Sequence, residues 1–234
     1  MIGFDRPLKP RWIYETLLLV EPGQRLSELN NAFEEVAREL TGKEGKRKVR
    51  TVLFRYFLRD PNNQTRARER LPLKELSLER SCEFMQPIYL FYLVGSSATL
   101  YRITGYLFRL YGYSKPVNPV FLQQKMASRF GDRDVVKRSV RSFLKTLNYF
   151  GIMQTENGMA ILKRPLPVNE EQLCIMLWLY AKELLQSPQI SLRQLRLPLF
   201  QFFTLPDPKA VARKYNGQYW DYQHRMREDF LVVY

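Results

Sequence analysis

The sequence predicts an all-α, mainly helical protein with one small β-hairpin wing. Apolar side chains recur three and four apart through most of the 234 residues, the spacing of a helix with one buried face. A single Asn-Gly pair, Asn157-Gly158, interrupts the segment Ile152–Leu162, and both residues tolerate the positive φ that a tight hairpin turn requires.

The elements follow in order. Trp12–Val20 reads as a short apolar helix stopped by Pro22-Gly23. Ser27 is the expected cap of the next, whose apolar residues Leu29, Ala32, Phe33, Val36, Ala37 and Leu40 share one face before Thr41-Gly42. A third helix is expected from Lys46 to Arg59. Asp60-Pro61-Asn62-Asn63 then breaks the chain, and Gln64–Pro72 is a polar, arginine-rich loop. Two apolar helices cover Glu83–Val94 and Ser97–Tyr111. Beyond the turn-forming stretch Gly112–Pro119 come a helix Val120–Phe130, a Gly131-Asp132 turn in which Asp132 can cap, a helix Arg133–Tyr149 and the hairpin. Asn169–Gln186 is a further helix, and shorter helices with a proline-rich loop finish the chain. These breaks divide it into an N-terminal helical domain (1–112), a winged-helix-like unit (113–168) and a C-terminal helical extension (169–234).

Composition excludes several classes. With 45% hydrophobic and 14% aromatic residues, the chain is globular rather than disordered. One His and two Cys cannot build a zinc finger, a histidine metal triad or a disulfide framework, so a reducing cytoplasm is the expected location. Met1–Pro10 lacks the apolar region of a signal peptide. Ile88–Leu110 is apolar enough to mislead a hydropathy scan, but Gly95-Ser96-Ser97 interrupts it and Arg102 and Arg109 lie within it, so it reads as a buried helix pair and not a span. No Gly-x-Ser-x-Gly, Gly-x-Gly-x-x-Gly or Gly-x4-Gly-Lys-Ser/Thr occurs, leaving no catalytic residue, cofactor or metal site to name. A metal-dependent nuclease built from scattered Asp, Glu and Lys is the residual enzyme reading.

The charge is more informative. Thirty-seven Lys and Arg against 23 Asp and Glu leave +14, with a pI near 9.8, which points to a polyanionic partner. Residues 101–164 hold 12 of the bases and 3 of the acids, so the surplus is concentrated there. In Arg133–Tyr149, apolar Val136, Val140, Phe143, Leu147 and Phe150 form one face. Arg133, Lys137, Arg141 and Lys145 fall four apart, with Arg138 beside them, and side chains at that spacing stack in one stripe. Helix, turn, basic helix and hairpin in that order make a winged helix-turn-helix, whose second helix enters the DNA major groove. Asn157 and Lys163 of the hairpin are the expected wing contacts. A solvated basic face is the alternative.

Lys46, Arg47, Lys48 and Arg50 cluster near a helix start, where a phosphate on the free amides would relieve their conflict with the macrodipole. Arg66, Arg68 and Arg70 form a third cluster, either a flexible arm or a solvated loop. The aromatic stretch Tyr215–Arg225 allows base stacking, although packing of the chain end onto the core fits its near-neutral charge better. His224 reads as a satisfied histidine.

The basic helix, its hairpin and the misleading Ile88–Leu110 stretch together resemble the small helical A-proteins (BrxA) of BREX phage-defence systems. The likeness covers most of the chain and lies in layout, with no motif to transfer residue by residue. It implies a cytoplasmic, non-catalytic component encoded beside a DNA methyltransferase, working with other defence-system proteins. On the charge pattern and the winged-helix order, double-stranded DNA is the expected partner, with RNA left open. The alternatives are a scaffold in a defence or regulatory complex and a transcription regulator.

Overall fold

The structure is a computed structural model describing residues 3–113, 115–156 and 159–234. Helix α1 (Pro10–Leu19) opens on a proline at its first position, where a missing N–H costs no intrahelical bond. A 3₁₀ turn (Leu26–Leu29) leads into α2 (Asn30–Val36). Ser27, the expected cap, lies inside that turn, and α2 stops at Val36 instead of Leu40. Helix α3 (Lys43–Phe57) begins three residues before the expected start and turns Val49, Val52, Leu53, Tyr56 and Phe57 inward. The short α4 (Pro72–Glu79) has no counterpart in the sequence reading.

Helices α5 (Cys82–Gly95) and α6 (Ala98–Leu110) match the apolar pair. Ser81 and Ser97 cap them by accepting from the Phe84 and Leu100 amides. Ile88–Val94 is wholly buried, so the apolar stretch is explained by a helix at the centre of the protein. Among the described residues no helix is long and apolar enough to cross a membrane. Helix α7 (Pro119–Phe130) is capped by Asn118 and ends at Gly131, whose φ of 86° suits a residue without a Cβ. Helix α8 (Asp134–Tyr149) follows, then an antiparallel hairpin of β1 (Met153–Glu156) and β2 (Met159–Leu162). The Asn157-Gly158 turn lies outside the described residues.

Helix α9 (Glu170–Leu179) starts on a capping box between Asn169 and Gln172 and runs into a π-helix (Tyr180–Leu185) ended by Gln186 in the left-handed region. The two-residue strands β3 (Leu166–Pro167) and β5 (Phe203–Thr204) pair in parallel. The carboxy-terminal helical extension requires correction. Strands β4 (Gln189–Ser191), β6 (Trp220–Arg225) and β7 (Glu228–Val233) form an antiparallel sheet in the order β4-β7-β6. The helical elements there are two 3₁₀ turns (Leu192–Arg196, Pro198–Phe202) and α10 (Pro208–Lys214). The fold is thus mainly helical with small sheets of two or three strands.

One apolar cluster joins all three expected segments, from Phe4 and Trp12 through Tyr89 and Phe143 to Trp220. Segment 3–9 is drawn along α8: the Phe4 and Leu8 amides donate to the Ser139 and Thr146 hydroxyls, each at 3.0 Å.

Candidate nucleic-acid interface

Helix α8 sits between two layers of the protein. Val136, Val140, Phe143, Leu147 and Phe150 are fully buried on one side. Ser139 and Thr146, under segment 3–9, are fully buried as well. What remains in solvent is a narrow strip carrying Arg138, Arg141, Lys145 and Asn148, with Asp134 exposed in the first turn and Lys137 half-buried at its edge. Arg133 precedes the first turn and is exposed too.

The ionic partners of these cations differ. Asp132 does not cap α8; its carboxylate takes the Lys137 ammonium at 2.7 Å, and that hydrogen bond and charge raise the Lys137 pKa. Among the described residues no carboxylate pairs with Arg133, Arg138, Arg141 or Lys145. The Lys145 ammonium stands 5.8 Å from the Tyr149 ring, which Lys9 also approaches at 5.3 Å. The stripe expected from spacing is therefore present, reduced by one member that is tied to an acid.

Two clefts flank the strip. One runs between α8 and the hairpin and is lined by Arg141, Lys145, Asn148 and Thr155. The other lies beside α7 and is lined by Gln123, Gln124, Ser128, Asp132 and Lys137. Among these, Asn148, Thr155, Gln123, Gln124 and Ser128 are neutral and carry no charge pattern, so spacing alone does not single them out. Lys163 is exposed just past β2, its amide bonded to the Ile152 carbonyl. Asn157 lies outside the described residues. A further feature absent from the sequence reading is Val117, which bridges Ala160 of β2 through a 2.7 Å amide–carbonyl bond.

The second basic cluster does not join this surface as a free group. Lys46 pairs with Glu34 at 3.1 Å and also donates to the Glu34 carbonyl. Arg47 makes two hydrogen bonds to Glu44, which Lys48 approaches at 4.0 Å. Arg50 reaches the Asn30 carbonyl at 3.5 Å. The early start of α3 puts Glu44 in its first turn, where a carboxylate suits the helix dipole and answers the charge of Arg47 and Lys48.

Nor is the third cluster a flexible arm. Arg66 donates to the Gly23 carbonyl, Arg68 donates to the Tyr92 hydroxyl at 2.7 Å, and Arg70 lies over the Trp178 ring. At the chain end Trp220 is buried and donates to the Ala212 carbonyl, which is packing and not a stacking platform. His224 Nδ1 lies 2.8 Å from Asp229 Oδ1. The Tyr222 hydroxyl and His224 together hold the Asp229 carboxyl down at about 2. Burial pushes the Cys174 thiol up to about 12, which keeps it protonated. Among the described residues no three His, Cys, Asp or Glu side chains are grouped to hold a metal ion.

Set against known families, curated proteins and solved structures, the chain matches none of them.

Proposed function

We propose that this protein binds duplex DNA, largely through phosphates and without chemistry of its own, using α6, α7, α8 and the β1–β2 hairpin as a winged helix-turn-helix unit. The observation that carries the reading is the row Arg138, Arg141 and Lys145, exposed and free of carboxylates, on the helix between a tight turn and a hairpin. Topology supports it. Helix α6 packs on both α7 and α8, and Val117 adds a third strand position to the hairpin. A winged helix uses this order to lay its last helix in the major groove with the wing on a neighbouring phosphate. Asn148 and Thr155 then stand where the groove edge would pass. On the resemblance of layout, the proposal extends to a component of a bacterial phage-defence complex.

A fluorescence-anisotropy titration of a labelled duplex across salt concentrations tests it. With about five phosphates neutralised, log affinity falls against log salt with a slope of about −4.5. Arg141→Glu with Lys145→Glu weakens binding to all sequences alike and flattens the slope. Unchanged affinity in that double variant sinks the assignment of α8. Competition with duplex RNA separates the B-form from the A-form target.

A further inference from the structure

A second cationic surface lies on α6. Arg102 and Arg109 are exposed there and Gly105 and Tyr106 half-buried, and together with Pro198 and Gln201 these line a cleft of about 390 Å³ against the 3₁₀ turn Pro198–Phe202. No Asp or Glu occurs anywhere in residues 101–131 or 192–206, the two stretches that form its walls. Among the described residues neither Arg102 nor Arg109 has an ionic partner. The Arg109 guanidinium lies over the Tyr106 ring at 4.9 Å. Gly105, in the middle of the helix, is not required by packing, because a Cβ there would meet only Pro198 Cγ at an ordinary 3.8 Å. A mid-helix glycine weakens the helix, and here it bares backbone between two free arginines.

We propose that this cleft holds one strand of single-stranded nucleic acid, its phosphates on Arg102 and Arg109 and a base stacked on the Tyr106–Arg109 platform. Seven residues of helix separate the arginines by about 10.5 Å along the axis, which suits phosphates two nucleotides apart on one strand, with the intervening base free to stack. A duplex is too wide to enter a cleft, whereas a lone backbone with a splayed base fits, and tyrosine rings and guanidinium planes both take bases. The inference does not depend on the duplex reading of α8.

The test is anisotropy with a labelled oligo-dT strand and, separately, a blunt duplex, on the full chain. Arg102→Glu with Arg109→Glu weakens the strand about tenfold and the duplex less than about twofold. Arg141→Glu with Lys145→Glu does the reverse. Gly105→Ala also weakens the strand while leaving the melting temperature no lower than wild type. The proposal is overturned if the α6 variant leaves the strand unaffected or weakens both ligands equally. It is overturned too if poly-glutamate displaces the strand as well as unlabelled oligo-dT does, which would assign the cleft to an acidic protein. A wild-type chain that ignores the duplex yet shows the α6 effect rejects the proposed function alone.

Discussion

The Phe4 amide donates a 3.0 Å hydrogen bond to the Ser139 hydroxyl across 135 residues of sequence. Leu8 repeats the contact on Thr146, so segment 3–9 splints the inner face of the helix whose outer face carries the free cations. Ser139 and Thr146 also bond back to the Val135 and Ser142 carbonyls, which satisfies both hydroxyls in the core.

Removing either hydroxyl strands a buried amide. Ser139→Ala and Thr146→Ala each cost about 1–2 kcal/mol, a fall in Tm of about 2–8 °C for a chain of this size. Calorimetry reads the fall; a Tm equal to wild type in both variants would mean that segment 3–9 is not held as described.

Asp132 holds Lys137 away from solvent anions. Asp132→Asn therefore frees a cation and removes a like charge from the interface. Duplex affinity should rise several-fold and the salt slope steepen by about 0.9, one phosphate contact. Because the pair is exposed, stability should not change measurably. Weaker binding in this variant would contradict the placement of the interface.

Arg47 is committed to Glu44. Arg47→Gln should leave duplex affinity within about twofold of wild type, in contrast to Arg141→Gln, which removes a phosphate contact. Equal losses from the two would return the α3 cluster to the interface.

Glu39 links α1 to the loop after α2, accepting from Lys9, from Arg11 and from the Trp12 indole at 2.8 Å. Burial pushes its carboxyl up, but its own backbone amide and the Lys9 and Trp12 donors outweigh that and hold it at about 2. A carboxylate depressed in the folded state contributes stability above its unfolded pKa and loses it as pH falls. Tm should drop between about pH 4.5 and 2, and Glu39→Gln should flatten that part of the profile. An identical profile in the variant would remove Glu39 from the acid transition.

Two helical glycines should respond differently to alanine. At Gly105 there is room for a Cβ, and the gain in helix propensity is about 0.5–1 kcal/mol. At Gly95 the new Cβ would stand 2.3 Å from Leu184 Cδ1, so the Leu184 side chain must move and the gain is offset. Thermal melts should rank Gly105→Ala above both wild type and Gly95→Ala; the opposite order would refute the packing around α6.

Legibility followed the strength of local signals. Helices α5 to α8 were readable because Ser97, Asn118 and Gly131 punctuate long periodic segments. The β6–β7 hairpin was not, since its turn, with Met226 at φ 57°, uses no Gly, Asn or Pro, although Tyr219, Trp220 and Phe230 to Val233 carried the aromatic and branched character of strands. Helix α4 is eight residues long, too short for a period to emerge. Of the candidate interface, the exposure of Arg138, Arg141 and Lys145 was written in the apolar spacing of α8. The capture of Lys46 by Glu34 was not, because that pair joins two helices whose approach is set by the core.

The contacts from Phe4 to Ser139 and from Leu8 to Thr146 also impose an order on synthesis. At about 5–20 residues per second, segment 3–9 leaves the ribosome on the order of 10–30 s before its hydroxyl partners. Through that interval Phe4 can meet only its earlier neighbour Tyr56, and the two amides wait for the Ser139 and Thr146 hydroxyls until the basic helix emerges.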